Sequence, residues 1–224
     1  MLAELKSKPA RVERSKRVFI STGIPEADLL TGGIPRGAIS LVVGPPSSGR
    51  TTLMMSTLAV AGTAGEVSAL VDASDTFDAA SARDAGVDLD RLLWVRCGGN
   101  VEHALSATEM ILQNGGFGLV VLDLANLTAR MEHSIPHAAW FRFRRPIENT
   151  STSLLVIGPQ FLSCSCAAVV LEMQPGTPQW AAAELDDTPQ SPGTAKGSDP
   201  QIPPPRLNSP FLGLKLAVRR RKPY

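Results

Sequence analysis

The sequence predicts an α/β fold in which a mainly parallel β-sheet is covered by helices on both faces. Short, almost continuously apolar segments alternate with segments of helical periodicity along residues 18–173. Strands buried on both faces of a parallel sheet have this apolar character, because their side chains do not meet water. The chain has 224 residues, 43% hydrophobic and 19% charged, which is enough for one domain of this kind with tails.

Six apolar segments are the predicted strands. In chain order they read AISLVVG, EVSALVDAS, LLWVRC, FGLVVLDL, TSLLVIG and AAVVLEM. Between them we predict a helix ending near Gly62, a short helix closed by Gly86, a helix in VEHALSATEMILQNGG, and a helix around His137–Ile147. Ahead of the first strand, STGIPEADLLTGG predicts a helix with an N-cap at Ser21 or Thr22 and a glycine stop at Gly32-Gly33.

Composition divides the chain into four parts. Residues 1–17 form a basic arm, and residues 18–173 form the predicted α/β core. Residues 174–210 are rich in proline and polar side chains, so we expect a disordered linker that cannot bury enough apolar surface to fold. Residues 211–224 return to alternation and end in basic residues, which predicts a strand at the sheet edge, with a tail helix as the alternative.

The charge is distributed unevenly along the chain. Residues 1–17 carry six basic and two acidic side chains, and residues 206–224 carry six basic side chains and no acidic one. The remainder has a net charge of −9. Basic ends on an acidic body suit contact with a polyanion, and simple solvation of the ends is the equal alternative. The basic tail residues are Arg219, Arg220, Arg221 and Lys222.

The sequence also predicts the cellular location of the protein. No apolar run approaches the roughly 18 residues of a membrane span, and the N-terminus lacks the apolar region of a secretory signal. The three cysteines do not form a disulfide framework, so we expect a cytoplasmic protein without membrane contact. Cys164 and Cys166 have no second Cys/His pair at ligand spacing, which favours buried thiols over a metal site.

The segment GPPSSGRTTL, residues 44–53, is close to the phosphate-binding motif G-x-x-x-x-G-K-[ST]. It follows a predicted strand and opens a predicted helix, so its backbone N–H groups and the helix N-terminus can bind phosphate. Thr51 is placed to offer a hydroxyl to Mg²⁺, whereas Arg50 stands where the motif has lysine. The alternative is a tight turn without a ligand.

Asp123 ends the apolar strand FGLVVLDL and is the candidate carboxylate for the same Mg²⁺ ion. The alternative role for Asp123 is capping the following helix.

Hydrolysis of a nucleotide requires particular side chains, and this chain has other residues at two of those positions. Arginine is planar and bulkier than lysine, so binding tolerates the change better than positioning of a transferred phosphoryl group does. A residue that orients the attacking water is expected at the end of the second strand, where VDASD contains no glutamate. Asp75 is the remaining candidate for that role.

These residues resemble the RecA recombinase family. The similarity is carried by STG…GGIPRGAISLVVGPPSSGRTTL, ALVDASDTFDAASARDAGVDLDRLL and GLVVLDLANLT. It implies a RecA-like P-loop core that binds ATP and Mg²⁺, contacts single-stranded DNA, assembles with copies of itself and works with DNA-repair proteins. It also implies that Asp123 serves Mg²⁺, that Asp78 lies at the adenine edge, and that the phosphates are wrapped by Gly44, Ser47, Ser48, Gly49, Arg50, Thr51 and Thr52.

The departures from the family pattern are specific. The family's catalytic glutamate falls on Ser74, the tyrosine that packs on the base falls on Ser81, and the glutamine that senses the γ-phosphate falls near Pro159, beside Gln160. The connection 159–166 is short for a DNA-binding loop. With RLLWVR at the third strand, the chain is similar to ImuA-type accessory factors, which act with translesion polymerases in the bacterial SOS response.

This resemblance implies an accessory or regulatory role with weak or no ATP hydrolysis. The alternatives are an active single-stranded-DNA-dependent ATPase and a nucleotide-free interaction module.

The segment 130–148 interleaves Arg142, Arg144 and Arg145 with three aromatic residues, Trp140, Phe141 and Phe143. Such a mixture suits contact with phosphates together with base stacking. The alternative is an amphipathic helix whose aromatic residues face the core and whose arginines face water.

Overall fold

The structure, a computed structural model, describes residues 18–132, 135–180 and 211–221. Its centre is a seven-stranded sheet in the order β5-β4-β6-β7-β3-β8-β9, in which all neighbouring strands are parallel except the antiparallel pair β8 and β9. The strands are β3 (Ile39–Val43), β4 (Ser68–Asp72), β5 (Leu92–Arg96), β6 (Leu119–Asp123), β7 (Ser153–Gly158), β8 (Val169–Trp180) and β9 (Phe211–Arg221).

Two further strands, β1 (Phe19–Ile20) and β2 (Ile34–Pro35), form a small antiparallel ribbon before the main sheet. The helices are α1 (Pro25–Thr31), α2 (Arg50–Thr63), α3 (Ala79–Asp84), α4 (Val101–Asn114), α5 (Ala129–Glu132) and α6 (His137–Ile147), with a 3-10 turn at Leu89–Arg91. None of the helices in the described part of the chain combines the length and apolar character needed to cross a membrane.

The sheet is buried on both faces, as predicted. On one face, α4 and α6 pack on strand residues such as Val71, Leu122 and Val156. On the other, α1, α2 and α3 pack on the alternate residues, among them Val42, Leu70 and Val121. Every residue of β3, β4, β6 and β7 is buried, which explains their unbroken apolar character.

The six predicted strands and the principal predicted helices form in the expected order, and the α/β class is confirmed. The small ribbon, the 3-10 turn and α5 were not predicted. The N-cap prediction for α1 is wrong: the cap is Ile24, and Pro25 begins the helix. The Thr22 and Ser21 hydroxyls instead donate to the carboxylate of Asp28, at 2.8 and 2.6 Å. The glycine stop is found at Gly32 in a left-handed conformation.

The expected domain boundary after Met173 requires correction. Strand β8 continues to Trp180, because residues 174–180 pair with β9 in an antiparallel ladder interrupted by irregularities. The tail from Phe211 to Arg221 is a strand at the sheet edge and not a helix. The basic arm 1–17, the rest of the proposed linker (181–210) and Lys222 lie outside the described residues.

Candidate nucleotide-binding site

The loop 44–49 joins the carboxyl end of β3 to α2 at the edge where β4, β6 and β7 also end. Ser47 and Gly49 both have positive φ angles, of 59° and 89°, so the loop turns sharply into the helix. The N–H groups in the first turn of α2 have no partner within the helix, and they lie at its positive end. This arrangement suits the binding of an anion.

The loop is also closely packed. A Cβ atom added at Gly44 would lie 2.6 Å from both the Met173 carbonyl oxygen and Ser48 Oγ, so a larger residue would displace the loop. Ser48 Oγ is buried and has no hydrogen-bond partner among the described residues. A buried hydroxyl without a partner costs about 1–3 kcal/mol, and a phosphate oxygen would satisfy it. The loop therefore fits a nucleotide phosphate.

Arg50 is directed to the ends of the neighbouring strands. Its side chain is buried, and Nη1 donates to the carbonyl oxygens of Gly158 at 2.5 Å and Ala125 at 3.3 Å. Burial lowers the pKa of the guanidinium, and the nearby Asp123 carboxylate opposes this change. Arg50, which stands where the motif has lysine, is thus held by carbonyl oxygens of the protein itself.

Asp123 lies at the end of β6 and is only 6% exposed. Burial raises its pKa to about 6, and the Asp72 charge acts in the same direction. The Ala125 N–H, which donates to Asp123 Oδ1 at 2.9 Å, and the Arg50 charge oppose that rise. Asp123 and Thr51, which is exposed in the first turn of α2, are the residues that would hold Mg²⁺ beside a triphosphate.

Asp72 organises the turn that follows β4. Its fully buried carboxylate accepts backbone N–H groups from Ser74, Thr76 and Phe77 at 3.2, 3.2 and 2.9 Å. These bonds fix the backbone at Ser74, the position where the family resemblance implies a glutamate. The sequence marked Asp72 only as a polar strand end, whereas the structure gives it the most backbone hydrogen bonds of the site's acidic residues.

Asp75, the candidate for orienting water, faces the end of β5. It adopts a positive φ of 55°, and its two oxygens accept from Arg96 Nη2 at 3.2 Å and the Gly98 N–H at 3.1 Å. Asp75 therefore holds the turn after β5 to the turn after β4.

Asp78 is the N-cap of α3. Its Oδ2 accepts from the Ser81 N–H at 2.8 Å and from the Ser81 hydroxyl at 2.6 Å. The hydroxyl hydrogen bond is the main cause that lowers the pKa of Asp78. Ser81, the position where the family resemblance implies a tyrosine packed on the base, thus serves the cap.

Gln160 follows β7 and donates from Nε2 to Glu172 Oε1 at 3.3 Å. The same oxygen accepts from Gln174 Nε2 at 3.1 Å, and Glu172 is paired in register with Arg219 of β9. Glu172 was not predicted as a site residue, because a single acid in an apolar strand gives no signal by itself. Glu172 lies in β8, which pairs on one side with β3, the strand that leads into the phosphate loop, and on the other with the tail strand β9.

The aromatic residues of α6 divide between core and surface. Trp140 and Phe143 are buried and meet edge to face at 5.9 Å, whereas Phe141 is 53% exposed. Arg142 pairs with Glu109 at 3.1 Å and Arg144 with Glu148 at 3.2 Å. Arg145 is exposed and forms no ion pair within the described ranges.

In the tail, Arg219 and Arg220 are exposed, and Arg221 ends β9. Among the predicted DNA or partner contacts whose side chains the structure describes, Arg145, Arg219 and Arg220 are therefore the available cations.

A phosphate loop after β3, with a carboxylate at the end of β6, two places away in the sheet, defines a RecA-like P-loop fold. The model of the RecA N-terminal domain matches residues 11–135. The chain belongs to the RecA family.

Several RecA proteins are similar to the chain over this part. Protein RecA of Chlorobaculum tepidum is 42% identical over 106 residues, which cover 46% of the chain and 30% of that protein. Protein RecA of Clavibacter michiganensis is 40% identical over 123 residues, covering 54% and 34%, and that of Deinococcus radiodurans is 42% identical over 116 residues, covering 50% and 32%. The chain spans about a third of the length of these relatives.

Proposed function

We propose that the chain is an ATP- and Mg²⁺-binding accessory or regulatory factor of DNA repair in the cytoplasm, with weak or no ATP hydrolysis. Membership of the RecA family supports the nucleotide and the DNA-repair setting. The phosphate loop supports nucleotide binding through the tight packing at Gly44 and the partnerless hydroxyl of Ser48. Bound ATP would act mainly as a ligand that selects a conformation.

The contacts of Arg50 carry the proposal of weak hydrolysis. A lysine at this position is free to follow the phosphates, but the Arg50 guanidinium is bound to Gly158 and Ala125 and lies near Asp123. Stabilising a transferring phosphoryl group requires a positive charge placed where negative charge develops. A guanidinium held by two carbonyl oxygens is poorly placed for that task.

The turn after β4 supports the same conclusion. Ser74 replaces the residue expected to orient water, and the nearby Asp75 has both oxygens engaged by Arg96 and Gly98. A general base must come within hydrogen-bond reach of the water that it activates. The two carboxylates nearest Ser74 are therefore both engaged, since Asp72 also accepts three backbone N–H groups.

The basic tail supports contact with single-stranded DNA or with an acidic surface of a repair protein, such as a translesion polymerase or a recombinase. Arg219 and Arg220 are exposed on the edge strand and are available to phosphates or carboxylates. On α6, Arg145 and the exposed ring of Phe141 offer one charge and one stacking surface. Assembly with further copies of the chain belongs to the same proposal.

Turnover tests the proposed function. Phosphate release from ATP·Mg²⁺ is measured on the full chain, with and without single-stranded DNA, at ATP concentrations shown separately to be bound. The proposal expects binding with turnover at least about a hundredfold below the median enzyme rate of roughly 10 s⁻¹. Fast, DNA-stimulated turnover would instead support an active recombinase-type ATPase, and the lack of both binding and turnover would support an interaction module.

A further inference from the structure

A second polar cluster lies at the opposite end of the sheet from the phosphate loop. A cavity of about 370 Å³ opens there between the start of β3, the end of α6 and the turn before β8. Its lining includes Cys166 and Ser165, and its charged side chains are Arg36, Arg144 and Glu148. Arg36 forms an ion pair with Glu66, and Arg144 pairs with Glu148.

Cys166 has a neighbour within reach. Its Sγ lies 3.7 Å from Sγ of Cys164, two residues earlier on the same turn. The turn is held by the Ala167 N–H, which donates to the Cys164 carbonyl at 3.2 Å, and by the Ala168 N–H, which donates to the Ile39 carbonyl at 2.8 Å. The turn therefore keeps the two thiols together.

The two thiols differ in environment. Cys164 is 1% exposed and packs in the core, where the hydrogen bond with Cys166 and burial raise its pKa. Cys166 is half-buried at the cavity wall, where the hydrogen bond from Cys164 and the positive charge of Arg144 lower its pKa against the effect of burial. Thiolate character and access to solvent together make a cysteine reactive.

The chain contains an internal comparison for this pair. Cys97 is also buried, but burial and the carboxylates of Asp75 and Asp72 raise its pKa. No second cysteine of the described residues is paired with it. Cys97 should therefore react slowly with the same oxidant.

We propose that Cys166 and Cys164 form a peroxide-reactive dithiol site at this cavity, with Cys166 as the attacking thiol and Cys164 as the resolving thiol. The Cys166 thiolate attacks one oxygen of hydrogen peroxide, breaks the O–O bond and becomes a sulfenic acid, releasing hydroxide. The Cys164 thiol then attacks the Cys166 sulfur, forms the disulfide and expels the sulfenic oxygen as water. Overall, two thiols lose two hydrogens and two electrons, and one peroxide is reduced to two waters.

The geometry requires only a local change. The sulfur atoms must close from 3.7 Å to the ~2.05 Å of a disulfide, which side-chain rotation within the turn can supply. The turn belongs to the connection between β7 and β8, whose first residues include Gln160 near Glu172. A disulfide here would stiffen that connection.

The experiment uses the full chain, reduced and then exposed to a small excess of hydrogen peroxide. The expected result is a loss of two of the three thiols by thiol titration after denaturation, with a peptide that links positions 164 and 166 within one chain and Cys97 left reduced. Oxidation of Cys97 at a comparable rate, or bridges formed only between chains, would overturn the proposal.

Conservative variants assign the two roles. In Cys164→Ser the sulfenic acid at Cys166 cannot be resolved, so a dimedone adduct at Cys166 is expected. In Cys166→Ser we expect the thiol at Cys164 to be consumed at least about tenfold more slowly than Cys166 in the unaltered chain. A dimedone adduct at Cys97 in place of Cys166, or unchanged consumption in Cys166→Ser, would contradict the assignment. Circular dichroism checks that each variant is folded.

Discussion

Asp72 and Asp123 are paired in register at the carboxyl ends of the neighbouring parallel strands β4 and β6, and both side chains are buried. Asp72 accepts three backbone N–H groups, whereas one backbone N–H, that of Ala125, donates to Asp123. Burial is the main cause that raises the pKa of Asp123 to about 6, and the Asp72 charge adds to the rise. A carboxylate kept charged against its surroundings is suited to receive a cation.

Stability should depend on pH through Asp123. Because its folded pKa of about 6 lies above the unfolded value of 3.8, the folded state holds the proton more tightly between these values. Its contribution to stability is largest below pH 3.8, declines as the pH rises to about 6, and is constant above that. Asp123→Asn should therefore gain up to about 3 kcal/mol at pH 7 and little at pH 4.

Urea unfolding of the unaltered chain and of Asp123→Asn over this pH range measures the effect. Asp84→Asn, at an exposed position in α3, is the matched control and should follow the unaltered chain. Parallel pH profiles for Asp123→Asn and the unaltered chain would show that Asp123 is not the group responsible.

Arg50→Lys should increase ATP turnover. Lysine gives up the guanidinium contacts to Gly158 and Ala125 and restores a flexible point charge beside the phosphates. We expect a rise of about tenfold, equal to ~1.4 kcal/mol of transition-state stabilisation, and a larger rise when Ser74→Glu is added. Phosphate release measures the rate, and Arg83→Lys on the exposed side of α3 is the control. Unchanged turnover in the double variant would show that Arg50 and Ser74 do not limit hydrolysis.

Replacing a buried and an exposed aromatic residue of α6 should lower the stability of the fold by very different amounts. Trp140→Ala removes a fully buried ring that packs on Phe143, so a loss of about 3–5 kcal/mol is expected. Phe141→Ala, one residue away and 53% exposed, should change stability by no more than about 0.5 kcal/mol. Chemical denaturation compares the two variants, and equal losses would refute this division between core and surface.

The tail should set the salt dependence of binding to single-stranded DNA. Replacing Arg219 and Arg220 with alanine removes two exposed cations. The fall of log K with log salt should therefore become shallower, by up to about 1.4 in slope. Fluorescence anisotropy with a labelled oligonucleotide at several salt concentrations measures the slope. Arg91→Ala, at the end of the 3-10 turn before β5, removes a cation that is held by Asp88 and the Gly65 carbonyl, and should leave the slope unchanged. An unaltered slope in the double variant would mean that the tail arginines do not contact DNA.

The parts of the fold that the sequence predicted are those set by local pattern. The strands around Val42, Val71 and Val121 are apolar throughout because both faces of the sheet are covered, and Gly32 ends α1 because it adopts a left-handed conformation. The N-cap of α1 was mistaken because Thr22 and Asp28 bond to each other, and that contact spans six residues. The length of β8 depends on pairing with the distant β9, which no local pattern reveals.

In the candidate site, too, the sequence predicted the locally encoded features and missed the contacts between distant residues. The phosphate loop and Asp123 were predicted, because a motif and a strand end mark them in the sequence. The contacts of Arg50 with Gly158, the role of Glu172 and the engagement of Asp75 by Arg96 each join residues far apart in the chain. The approach of Cys164 and Cys166 depends on the turn that they share, not on their spacing alone.

Calorimetric titration of the full chain with ATP in the presence of Mg²⁺ tests the phosphate loop most directly. We expect saturable one-site binding, a weakening of about tenfold in Thr51→Ala, and unchanged affinity in Thr63→Ala at the other end of α2. The absence of any heat of binding at millimolar ATP, or equal affinity in both threonine variants, would contradict a nucleotide site at this loop.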